Sequence, residues 1–198
     1  KDLLRIGINQ FKYADLRSVN FQEIIARKRL TLDFTGADLD NSNLSGLDFT
    51  KIVLYGSSIK HAFLQGMSFT SAYLDKNVAI QGSQIDTLAI PNFYRANITS
   101  FDNCQVIHEE YDYQNSFSMD IVLEQASFKG VRFVGGLHNF TFQLCDMRGA
   151  HFISSSPEKF SELVHVTFDG VNFTNTFFNN LKFFGVKFIE CTFDMSDF

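Results

Sequence analysis

From Ser161 to the C-terminus, phenylalanine recurs at every fifth residue. Phe168, Phe173, Phe178, Phe183, Phe188, Phe193 and Phe198 keep this step without a slip, and Leu163 extends it by one position. Two residues before each centre stands a smaller or apolar side chain: Ser161, Val166, Val171, Thr176, Leu181, Val186, Cys191 and Ser196. Between them lie mostly Asn, Thr, Asp, Gly and Lys. With 24 phenylalanines in 198 residues, seven at one fixed spacing mark an internal repeat, the signal that constrains a fold most.

A period of five fits neither ordinary element. On a helix each step of five turns the side chain by about 140°, so the rings would circle the axis and form no stripe. On a flat strand five is odd, so the rings would alternate between faces. The pair at i−2 and i does fit a strand, because residues two apart point the same way. The remaining residues of each pentad must then turn the chain until the next pair faces inward. Such a chain is a coil of short strands around one core.

The stretch VTFDG VNFTN TFFNN LKFFG VKFIE CTFDM SDF resembles the pentapeptide-repeat family. ADLDN SNLSG LDFTK, starting at Ala37, is nearer still to that family's A-[DN]-[LF]-[ST]-x pattern. The resemblance implies an all-β fold, a right-handed quadrilateral β-helix with four pentads to a coil and residues i and i−2 inward. At roughly twenty residues per coil the chain would make nine to ten coils in a single domain over residues 1–198. With strands about 4.8 Å apart that is a rod of about 45 Å.

Taken in order, residues 1–10 read as an N-terminal cap, which a solenoid end needs. Phe11, Leu16 and Phe21 start the rhythm and residues 22–31 break it. It then holds through Phe34, Leu39, Leu44, Phe49, Leu54, Ile59, Leu64, Phe69 and Leu74. A slip follows: Ile85 and Ile90 continue one residue late, Pro91 interrupts, and Phe93 and Ile98 restart the count. Residues 101–120 offer no clear pentads and read as an irregular coil. Leu123, Phe128 and Phe133 are clear again, and a second slip near Gly135-Gly136 precedes Phe142, Met147 and Phe152. Residues 153–160 read as a surface loop. In the final stretch Phe173, Phe178, Phe183 and Phe188 are expected to be almost fully buried, each contacting residues four pentads away.

Composition narrows the function. A net charge of −5 and a pI near 5.5 speak against a basic nucleic-acid surface, and no apolar run approaches the about 18 residues of a membrane span. Cys104, Cys145 and Cys191 show neither metal spacing nor CxxC. They read as small buried hydrophobes in a reducing, cytoplasmic compartment. The five histidines are scattered, and no phosphate-loop, dinucleotide, nucleophile-elbow or HExxH motif is present. At least three of the four Asn-x-Ser/Thr triplets follow the repeat itself, and they are not expected to mark glycosylation. No catalytic residue, metal or cofactor is expected.

What remains is a protein-binding role. Where the rhythm fails, His108–Phe117 packs acids beside tyrosines, so Glu109, Glu110, Tyr111, Asp112 and Tyr113 are candidate contacts. Ser155, Pro157 and Glu158 of the loop are the others. The broken, Phe-rich pattern is similar to the β-helix domains of bacterial type III/IV secreted effectors, including those preceding a HECT-like ligase domain. That resemblance implies partner or substrate recognition for a larger effector secreted into a host cell, with a host protein as partner. Another branch of the family suggests the alternative, a DNA-mimicking protein that binds a topoisomerase such as gyrase. Its dense negative face is poorly met here, because Lys182 and Lys187 offset part of Glu190, Asp194 and Asp197. The chain starts at Lys1 and stops inside a pentad, so it is expected to be a piece of a longer protein. Its open end is expected either to be capped by further residues or to pair with a second copy as an end-to-end homodimer.

Overall fold

The repeat works because the same turn recurs along the chain, though not in every pentad. In Phe34–Ala37 the Ala37 N–H donates to the Phe34 carbonyl at 2.9 Å, and Gly36 has φ 66°. This is the type II pattern, which needs a positive φ at its third residue. The same bond closes Leu39–Ser42 around Asn41 and Phe173–Thr176 around Asn175. Asn tolerates this left-handed conformation better than most side chains, which is why Asn and Gly crowd two positions after the apolar centres. The Asp or Asn before a centre stabilises the same turn. Asn172 Oδ1 accepts the Thr174 N–H at 3.0 Å and its hydroxyl at 2.7 Å, and Asp33 does the same for Thr35. The A-[DN]-[LF]-[ST] signature is therefore a side-chain-capped turn between two inward residues.

The structure, a computed structural model, describes residues 16–17, 31–45, 51–65, 72–86, 89–108 and 121–198. The chain divides into two compact units, Lys1–Ile98 and Thr99–Phe198. Among the described residues no helix is long and apolar enough to cross a membrane.

In the first unit β1 (Thr31–Asp33) pairs in parallel with β2 (Lys51–Val53), Leu32 opposite Ile52. Parallel bridges Asp38↔Ser58↔Ala79 and Asn43↔Phe63↔Gln84 lead to β3 (Gln84–Asp86). Phe34, Leu39, Leu44, Leu54, Ile59 and Leu64 are sealed inside, with Ala37, Ser42, Ser57 and Ala62 filling the i−2 sites. The slip after Leu74 is one added residue at a turn. There the Asp75 carboxylate accepts the N–H groups of Gly56 and Asn77, and Ile80 and Ile85 resume the core beyond it. The pentad reading of Ile90 and Phe93 is corrected. Both lie on a short helix, α1 (Ile90–Arg95), which buries them fully. Pro91 lacks the N–H that a first helical turn would leave unpaired, so it starts this helix rather than breaking a coil.

The described residues of the second unit are strand and turn: β4 (Gln105–Ile107), β5 (Ile121–Glu124), β6 (Arg132–Val134), β7 (Gly136–His138), β8 (Phe140–Gln143), β9 (His151–Ile153), β10 (Ser161–Val164), β11 (Thr167–Asp169), β12 (Phe177–Asn179), β13 (Leu181–Phe184) and β14 (Lys187–Ile189). All pair in parallel. One ladder is β7, β10 and β13; a second is β5, β8, β11 and β14; a third contains β4, β6, β9 and β12. Single bridges Ser100↔Ser127↔Asp146↔Asn172↔Thr192 make a fourth. The chain visits the ladders in one cyclic order, so this all-β arrangement of parallel strands fits a β-helix. The stretch expected to be irregular is regular as far as His108, since Phe101 and Val106 are buried five residues apart with Cys104 between them.

The core is a set of ring columns. Phe133 stacks on Phe152 at 4.7 Å and Phe152 on Phe178 at 4.8 Å; Phe142 stacks on Phe168 at 5.4 Å and Phe168 on Phe188 at 5.2 Å. Hydroxyls at the i−2 sites Ser57, Ser83 and Thr176 donate to buried carbonyls, as Thr176 Oγ1 does to Met147 at 2.8 Å, which satisfies them; the buried Ser42 hydroxyl has no such partner. Phe173 and Phe178 are buried as expected, at 0% and 5% exposure, but Phe183 and Phe188 are not, at 39% and 37%. Their rings point inward and touch Phe178 and Phe168. Among the described residues nothing stacks on their other side.

Candidate functional site

The register of the third ladder places the interruptions. Ile107, Val134 and Ile153 are opposite one another on β4, β6 and β9, so His108, Gly135 and Ser154 leave the ladder at one corner. The His108 N–H donates to Val134 and the Gly135 N–H to Ile153. Beyond His108 the chain enters residues 109–120, and beyond Ile153 it enters the loop 154–160. The coil between them turns at once through Gly135-Gly136, with a step of four from Phe133 to Leu137 instead of five. Gly135 has φ 105°, and a Cβ there would meet the His108 carbonyl at 2.5 Å; one at Gly136 would strike the Glu162 carbonyl. The chain passes too close to itself for any side chain. Beside the corner His108 and His138 stack at 4.9 Å. Burial pushes the His138 imidazole down to about 4, with the neighbouring charges of His108 and His165 adding to it.

Glu109, Glu110, Tyr111, Asp112 and Tyr113 lie outside the described residues. Ser155, Pro157 and Glu158 are exposed on the loop, which holds its own shape. Ser154 Oγ donates to the Lys159 carbonyl at 2.6 Å and accepts from the Ser156 N–H and the Ser161 hydroxyl; Ser156 Oγ accepts the Glu158 N–H. Serines do this readily because a short hydroxyl reaches nearby backbone. The loop ends at Phe160, 59% exposed, with Lys182 Nζ 5.4 Å from its ring centre.

Reactive chemistry is sparse. Cys104, Cys145 and Cys191 are free thiols. Burial pushes Cys145 up to about 11 and raises Cys191, which keeps both protonated and poorly nucleophilic. No group of three or more His, Cys, Asp or Glu among the described residues could hold a metal ion. Asp146 sits between cations: the Arg148 guanidinium, 2.7 Å away, holds its carboxyl below the usual range, and Lys129 lies at 3.5 Å.

One surface feature is missing from the residues singled out by sequence. On β4, β6, β9 and β12 the outward positions carry Ile107, Val134, Ile153 and Asn179 in one row and Gln105, Arg132, His151 and Phe177 in the next; the three aliphatic side chains are half-buried. Phe177 is 41% exposed and stacks on His151 at 4.8 Å. The fourth ladder instead presents Ser127, Asp146, Asn172 and Thr192. The signal that could have found the apolar rows is the residue on either side of each centre, where Asn, Thr or Asp is usual.

Residues 33–70 match the family model described as pentapeptide repeats (8 copies), which supports the pentapeptide-repeat reading. No curated protein matches the chain. Among solved structures it is similar to QnrB1, a plasmid-mediated fluoroquinolone resistance protein, at 15% identity and a TM-score of 0.40 over 90% of this chain and 82% of that one. It is also similar to HetL, a pentapeptide repeat protein involved in heterocyst differentiation regulation from the cyanobacterium Nostoc sp. strain PCC 7120, at 11% identity and a TM-score of 0.34 over 98% of this chain and 91% of that one. Rfr23, a pentapeptide repeat protein from the cyanobacterium Cyanothece 51142, shares 14% identity over 94% of this chain and 97% of its own, with a TM-score of 0.22.

Proposed function

We propose that this chain is a non-enzymatic protein–protein interaction scaffold, the partner- or substrate-recognition domain of a larger bacterial effector. Its finer geometry is a right-handed, four-sided β-helix of about nine to ten coils. Four parallel ladders visited in cyclic order support the four sides. The hand follows from the near-universal preference for right-handed crossovers between parallel strands. Solenoids of this kind bind along extended faces rather than in pockets.

One observation carries the binding role. The two interruptions, 109–120 and 154–160, lie more than thirty residues apart in sequence yet leave one corner of the coil, because Ile107, Val134 and Ile153 are in register. Regular pentads offer near-identical polar faces that discriminate little, so recognition belongs where the repeat is broken. In this reading Glu109, Glu110 and Asp112 steer a basic surface of a host protein toward Tyr111 and Tyr113, and Ser155, Pro157 and Glu158 add contacts. A partner captured from host-cell lysate and measured by calorimetry should bind the Tyr111→Ala, Tyr113→Ala double variant about thirtyfold more weakly, roughly 2 kcal/mol. Equal affinity for parent and variant, with both folded, would refute this assignment.

A further inference from the structure

The outer face of the third ladder differs chemically from its neighbours. Along it, Ile107, Val134 and Ile153 make an aliphatic row across three successive strands. Beside that row run Gln105, Arg132, His151 and Phe177, with the ring of Phe177 lying on the imidazole of His151. The three aliphatic side chains are half-buried, and the apolar surface they leave on the sheet's solvent side can receive an apolar side chain of another molecule. Arg132 is exposed and makes no ion pair among the described residues. It is also the only fixed charge on the described outward positions of β4, β6, β9 and β12. A lone guanidinium between Gln105 and His151, beside an aliphatic row and with no carboxylate on the outward positions of these four strands, selects for a carboxylate from elsewhere.

We propose that this face docks an extended, strand-like segment of a partner protein in which a carboxylate residue is followed two positions later by an aliphatic one. The spacing argues for that pattern. Arg132 and Val134 stand two apart on β6 and point the same way. Side chains on one face of an extended peptide repeat at about 6.7 Å, the same interval. A partner carboxylate over Arg132 therefore brings the next same-face side chain over Val134, with Ile107 and Ile153 on either side of it. The aliphatic row lines one flank of the pairing, and the sign of the charge sets specificity.

This inference rests on the interaction-scaffold reading, and its test is independent of the partner captured through the corner. Fluorescence anisotropy would follow a short labelled peptide repeating Glu-Thr-Ile-Thr and a counterpart with Lys in place of Glu. The protein should bind the acidic peptide at least about tenfold more tightly than the basic one. Arg132→Glu should reverse that order, and Val134→Thr with Ile153→Thr should weaken the acidic peptide several-fold. These side chains point outward, so unchanged thermal melts are expected and separate lost binding from lost folding. Failure of both peptides to bind, or an unchanged preference in Arg132→Glu, overturns the face while leaving the corner standing. Self-association that Ile153→Thr abolishes would assign the face to a second copy, and that too overturns the proposal. Loss of partner binding in the tyrosine double variant tests the scaffold reading alone.

Discussion

Phe168 and Phe188 occupy equivalent positions one coil apart, and their difference in surroundings sets a quantitative test. Phe168 is fully buried. Phe142 and Phe188 stack on its two faces at 5.4 and 5.2 Å, and Phe152 and Phe173 meet it edge-on at 6.0 and 5.0 Å. Truncating a ring so enclosed leaves a closed void, because the parallel ladders on either side hold the coils apart. Phe168→Ala should therefore cost about 4–5 kcal/mol, the upper end of such substitutions. Phe188 leaves 37% of its surface in water, and any void it leaves opens to solvent. Phe188→Ala should lose transfer free energy only, about 2 kcal/mol. Phe168→Leu, which keeps much of the volume, should cost about 1.5 kcal/mol or less. Urea denaturation followed by far-UV circular dichroism measures all three. The slope should be compared along with the midpoint, because repeat arrays can unfold in stages. A Phe168→Ala loss below about 1 kcal/mol, or one equal to that of Phe188→Ala, would refute the inward assignment of this column.

Four further outcomes follow from the turns and the half-buried imidazole. Met195 has φ 54° and is 76% exposed, so Met195→Gly should raise the thermal midpoint by relieving about 1 kcal/mol of left-handed strain. At Asn175, φ 58°, a β-branched valine should lower stability by about 1–2 kcal/mol while glycine leaves it nearly unchanged. Asn172→Ala removes the acceptor of two bonds from Thr174 and should cost about 1 kcal/mol, which Asn172→Asp should largely restore in the same melt. His138 titrates near 6.5 unfolded and at about 4 folded, so the unfolded chain binds the extra proton between those values. Its contribution is complete above pH 6.5 and is lost as pH falls toward 4; a pH series of melts should flatten in His138→Gln over that window and nowhere else.

How much of this was legible beforehand depended on whether a residue's role is set by its own pentad or by its neighbours one coil away. The five-residue step was visible because each turn closes locally: the centre's carbonyl, the Asn or Gly two residues on, and the Asp or Asn cap all lie within one repeat. The loop at 154–160 was visible for the same reason, as a local excess of Ser and Pro. Helix α1 was not, since Ile90 and Phe93 satisfy a five-count as well as the three-residue spacing of a helical turn, and Pro91 reads as a breaker until its place in the first turn is known. Phe101 and Val106 kept the step in the stretch judged irregular, but there the centre changes from ring to valine and the i−2 site holds Cys104. Exposure of Phe183 and Phe188 was hidden altogether. Nothing in TFFNN LKFFG VKFIE distinguishes a coil covered on both sides from one covered on a single side.

The corner and the apolar face were hidden for a stronger reason. Both depend on inter-coil register, and register here is not a constant twenty residues. Arg132 pairs with His151 nineteen residues on, and His151 with Phe177 twenty-six on, because Gly135-Gly136 shortens one corner and the loop lengthens the next. A fixed count from the sequence would set Val134 opposite Ser154 and break the aliphatic row. It would likewise separate His108 from Ser154, so the two interruptions would look like unrelated sites. The departures from the repeat are thus what bring Ile107, Val134 and Ile153 into line. They cost regularity at one corner and gain a surface that an unbroken array of pentads would not have.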